Sequence, residues 1–63
     1  MAVFDALQDA ESHARALSRF DGHPYTVFLR KDAQGPFYQV EPEKPGSTSR
    51  PMQTWIDGER KNP

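Results

Sequence analysis

The chain contains no cysteine, which excludes a disulfide framework and a thiolate zinc site together. Long apolar runs are missing too: the longest, Val27-Phe28-Leu29, is far too short to cross a bilayer. The opening Met1-Ala2-Val3-Phe4-Asp5 has neither a basic start nor an apolar stretch, so no secretory signal is expected and the location reads as cytoplasmic. There is no excess of charge of one sign. Eight basic residues against nine acidic ones leave a net charge of −1, so no global field draws the chain to nucleic acid or to an anionic membrane. Arg30-Lys31 and Arg60-Lys61 are isolated basic pairs, each with an acidic neighbour. The four glycines are scattered and form neither G-x-x-x-x-G-K-[ST] nor G-x-G-x-x-G, which removes the usual phosphate cradles.

Sixty-three residues make a single small domain, 1–63. A chain of this size buries only about 60% of the surface its unfolded form exposes. With no covalent staple, a partner protein or a second copy is the natural cover for leftover apolar surface.

What is present begins with an amphipathic pattern over 2–20. Val3, Leu7, Ala10, Ala14 and Leu17 recur at spacings of four and three, with Phe4 and Phe20 extending the stripe. Gln8, Asp9, Glu11, Ser12, Arg15, Ser18 and Arg19 fall on the wet side. Gly22 suits the C′ position, and Pro24 bars continuation. Residues 25–31 and 36–41 are rich in β-branched and aromatic side chains, and Asp32-Ala33-Gln34-Gly35 supplies turn residues between them. They read as a hairpin whose face of Tyr25, Val27, Leu29, Tyr38 and Val40 packs on the helix. Residues 42–51 carry three prolines and read as a flexible arm. Residues 52–57 read as a short third strand, and 58–63 as a polar tail after an Asp57-Gly58 turn. The expected fold class is α+β: one N-terminal helix packed on a small antiparallel sheet.

No catalytic constellation is expected. Asp9 and His13 lie one helical turn apart, but a metal needs three or four ligands and spacing supplies no third. His23 sits in a turn with no nucleophile nearby. Ser12, Ser18, Ser47 and Ser49 lack a recognisable base or oxyanion donor. Glu41 and Glu43 flank a proline as solvated charges. No cofactor and no metal are expected.

The sheet face away from the helix is more informative. Phe28 and Phe37 project there, Trp55 can join them, and Arg30 and Arg50 form a rim. Aromatic and arginine side chains at a surface are enriched where proteins bind partners. The opposing expectation is that 42–56 folds back and hides these rings. The reading that follows is a non-catalytic protein–protein interaction module with a partner of unknown identity, of the inhibitor or adaptor kind. Size class alone suggests a phage- or mobile-element-type anti-host or anti-defence protein. Two other readings stay open: single-stranded nucleic-acid binding through the sheet aromatics, against which the charge balance counts, and a structural homodimer.

Overall fold

The computed structural model describes residues 2–46 and 50–61. Two segments of opposite character meet at Asp5-Ala6. Before it, Ala2–Phe4 is extended and forms strand β1; after it, Leu7–Asp21 forms helix α1. This corrects the expected helix over 2–20. Three residues cannot distinguish a period of 3.6 from a period of 2, and Val3 and Phe4 favour the pleated surface. Ala6 stays extended at φ −108°, ψ 135°, and no side chain caps the helix there. At the other end Gly22 adopts φ 71° and donates its N–H to the Ser18 carbonyl, closing the helix as expected.

The hairpin follows as Tyr25–Asp32 (β2) and Gly35–Pro42 (β3). Gln53–Ile56 forms β4 and Glu59–Lys61 forms β5, so the expected polar tail contains a strand. Asp57 and Gly58 have φ of 52° and 78°. Positive φ at both central residues is what a two-residue hairpin turn with the strands' own twist requires. The turn signal was therefore also a strand signal. The expected α+β class is borne out: one helix lies on a five-stranded antiparallel sheet of order β1-β3-β2-β4-β5.

That order explains the two faces. β1 and β2 both run antiparallel to β3, so they are parallel to each other and α1 joins them across β3. β3 and β4 are likewise parallel, and 43–52 joins them across β2. Both connections step in the same direction along the sheet while their strands point opposite ways. A right-handed β1-α1-β2 crossover puts the helix on one face, the face bearing Val27 and Val40.

The ladder also accommodates its prolines. The Glu43 N–H donates to the Pro24 carbonyl at 2.9 Å, which sets the alternation. Residues 26, 28, 30 and 32 exchange bonds with β3, whereas 25, 27, 29 and 31 direct theirs away from it. Pro36 and Pro42 stand opposite Lys31 and Tyr25, where β2 asks for no N–H. Pro42, expected in a flexible arm, thus ends a strand.

The core lies between α1 and the face bearing Val27, Val40, Tyr25, Tyr38, Phe4 and Trp55. The helix approaches through a small-residue stripe, Ala10, Ala14 and Ser18, all fully buried. Ser18 was expected on the wet side. Its hydroxyl instead accepts the Gly58 N–H at 2.9 Å and donates to the Arg15 carbonyl at 3.0 Å, so the buried oxygen is satisfied. Among the described residues no helix is long and apolar enough to cross a membrane.

Candidate interaction surface

The hairpin outruns its neighbours. β1 stops with Phe4 opposite Tyr38, and β4 begins with Gln53 opposite Val27. Beyond those points Leu29–Asp32 and Gly35–Phe37 pair only with each other. Leu29 is on the helix side of the sheet but 54% exposed. Val3, on the opposite face at the edge, is 56% exposed.

The five residues expected to form a partner-binding patch divide into two groups. Phe28, Arg30 and Phe37 come together on the face away from α1. Arg30 pairs with Phe37 across the ladder, and its guanidinium carbon lies 4.6 Å from the centroid of the Phe28 ring. Phe28 is only 6% exposed, so it is packed rather than bare, whereas Arg30 is exposed and Phe37 half-buried. Trp55 and Arg50 are elsewhere. Trp55 stands opposite Tyr25 and packs against the core on the helix side. Arg50 is exposed in the connection ahead of β4. Ser47 and Ser49 lie outside the described residues.

Trp55 belongs to a polar chain that links sheet and helix. Its indole N–H donates to Gln53 Oε1 at 3.0 Å, and Gln53 Nε2 donates to Glu11 Oε2 at 2.6 Å. Arg60 stands 3.7 Å from the same carboxylate oxygen. Glu11 was expected to be a solvated charge. The contact that recruits it is 42 residues away in the chain, with no local signal.

Phe37 gains neighbours beside the hairpin end that the local sequence does not announce. Val3, Pro36 and Phe37, with Asp5, Asp32 and Gln34, line an open cleft of about 670 Å³. It exists because β1 turns into the helix after Phe4 and leaves the far part of β3 without a neighbour on that side. The turn is held by Asp32, whose Oδ1 accepts the Gln34 N–H at 2.8 Å.

The histidines have packing partners. His13 lies with its ring centroid 5.2 Å from that of Phe4. His23 packs edge-on against Tyr25, and its Nε2 is 3.3 Å from the Glu43 carbonyl. The Tyr25 hydroxyl donates to Asp21 Oδ2 at 2.6 Å and the His23 N–H donates to Oδ1 at 2.9 Å. These two bonds, the hydroxyl first, hold the Asp21 carboxyl below its ordinary pKa, and Asp21 in turn raises that of the Tyr25 phenol. Among the described residues no group of three or more His, Cys, Asp or Glu side chains is placed to hold a metal ion. No protein-family model, no curated protein and no solved structure matches the chain.

Proposed function

We propose that this chain is a non-catalytic protein–protein interaction module of the cytoplasm, an inhibitor or adaptor that docks through the free end of the β2-β3 hairpin. One observation carries the reading: residues 29–37 extend past the strands on either side and present Leu29, Arg30, Lys31 and Phe37 on a two-stranded support. Of these, Phe37 and Arg30 are of the aromatic and arginine types enriched where proteins bind partners. The cleft beside Phe37 adds concave surface at the same end, part apolar through Val3 and Pro36 and part acidic through Asp5 and Asp32. The opposite end of the molecule offers less. Phe20 is 88% exposed there, but singly exposed apolar residues are ordinary.

A protein partner fits this end better than a nucleic-acid strand. Base stacking needs a bare ring, and Phe28 is already packed with the Arg30 guanidinium over it. Without a basic excess the electrostatic attraction that dominates such binding is also missing. The test is capture from nuclease-treated lysate of the source cells. We expect a stoichiometric protein to be retained by the wild-type chain and by Phe20→Ala, and lost with Arg30→Glu. Capture that Arg30→Glu leaves intact, or that nuclease abolishes, contradicts the reading.

A further inference from the structure

Every strand edge that ends in solvent carries backbone donors and acceptors that a foreign strand can use. The alternation set by the Glu43–Pro24 bond says how many each edge offers. On β1, Ala2 and Phe4 face β3, leaving one residue, Val3, directed outward. On β5, Thr54 and Ile56 pair with Lys61 and Glu59, leaving Arg60. The open edge of β3 beyond β1 carries Pro36, which has no N–H to give. β2 differs. Past Val27, where the Met52 N–H takes the carbonyl at 2.8 Å, Leu29 and Lys31 both direct N–H and C=O to the β4 side. Among the described residues no backbone group meets them there. Four groups on two alternate residues, without a backbone partner among the described residues, make one full repeat of a ladder.

We propose, building on the reading of the hairpin end as the docking site, that β2 receives an extended acidic segment of a partner protein as an added strand along Leu29–Lys31. Charge selects the occupant. Arg30 and Lys31 are exposed, and among the described residues neither makes an ion pair. An added antiparallel strand places successive side chains opposite Lys31, Arg30 and Leu29. The complementary order is acidic, acidic, apolar, since opposite charges across a ladder attract and like charges repel. A second copy of this chain fails the same criterion. Two-fold pairing of Leu29–Lys31 with itself centres on Arg30 and sets two guanidinium groups opposite each other on one face. Backbone bonds supply the affinity of strand addition, and the alternating side chains supply its specificity.

The probe is a capped peptide, Thr-Glu-Glu-Val-Thr, titrated into the ¹⁵N-labelled chain, with a control peptide carrying lysine for both glutamates. In the free protein the amides of Leu29 and Lys31 exchange with solvent quickly and those of Phe28 and Arg30 slowly. The acidic peptide moves and protects the first pair, and the lysine peptide binds about ten-fold more weakly or worse. Lys31→Pro removes the outward donor without touching the β2-β3 ladder, so it abolishes binding while the chain stays folded. Lys31→Ala keeps the donor and only weakens binding. Slow exchange at Leu29 and Lys31 in the free protein overturns the proposal. So do equal affinity for the two peptides, no saturation at millimolar concentration, shifts confined to Val3 and Phe37, or dimerisation in place of binding. If these failures occur while lysate capture still depends on Arg30, strand addition is wrong and the docking reading stands; loss of both removes the two together.

Discussion

Phe28 shows how a single side chain can lie on the expected face and still play a different part. Its direction away from the helix follows from alternation with Val27, which is fully buried on the other side. Its own burial follows from topology and from Arg30, neither of which a two-residue period reveals. Phe28→Ala should therefore cost about 3 kcal/mol of stability, as a buried phenylalanine does. In a domain whose total stability is only about 5 kcal/mol, the urea midpoint of the variant should fall by roughly half or more; an unchanged midpoint would mean the ring is dispensable. Asp21 gives a second prediction at this scale. Its carboxyl is lowered from 3.8 in the fold, so its contribution is complete above that value and lost as pH falls through the folded pKa. Tyr25 is raised from 10.0, so its contribution is complete below that value and lost as pH rises through the folded pKa. Tyr25→Phe removes the larger cause, and a carboxyl NMR titration should show Asp21 moving up toward 3.8. No movement would mean that the 2.6 Å bond is not what holds it down.

At the scale of the element, the sequence signals differ in how far they reach. The stripe of Leu7, Ala10, Ala14 and Leu17 and the turn at Asp32–Gly35 were legible because helix period and hairpin turn are local properties. β1 was not, because Ala2-Val3-Phe4 happens to be in phase with the helical stripe and becomes a strand only by pairing with β3. The face of Trp55 was not legible either: one residue of register slip between β4 and β2 turns every side chain over. The β4-β5 hairpin falls between these cases, since Asp57-Gly58 announced it and the charged Glu59-Arg60-Lys61 disguised it. Such charges suit an edge strand that must not pair further. Gly58 is needed twice, for its positive φ and for the Arg19 stem lying against it, where a Cβ would collide with Cγ and Cδ. Gly58→Ala should cost about 1–2 kcal/mol from the left-handed backbone alone. Thermal unfolding should show a lowered midpoint, and Gly35→Ala, with open space around its α-carbon but a φ of 116°, should lower it as well.

At the scale of the whole molecule, the eight-residue strands of the hairpin span about 26 Å of a body 34 Å long. The other three strands and the helix are grouped toward one end of that length, where Tyr25, Val27 and Val40 form the core. Folding and the proposed docking are thereby separated: the buried core lies where five strands meet the helix, and the exposed hairpin end contributes little to it. Arg30→Glu should leave the melting transition nearly unchanged for that reason, apart from a cation–π contact worth about 0.5–1 kcal/mol at an exposed site. The most direct test of this division is photo-crosslinking in source-cell lysate, with p-benzoylphenylalanine placed at position 37 in one sample and at position 20 in another. A discrete protein adduct is expected from position 37 and none from position 20. An adduct from position 20 alone would put the docking site at the helix end and contradict that division.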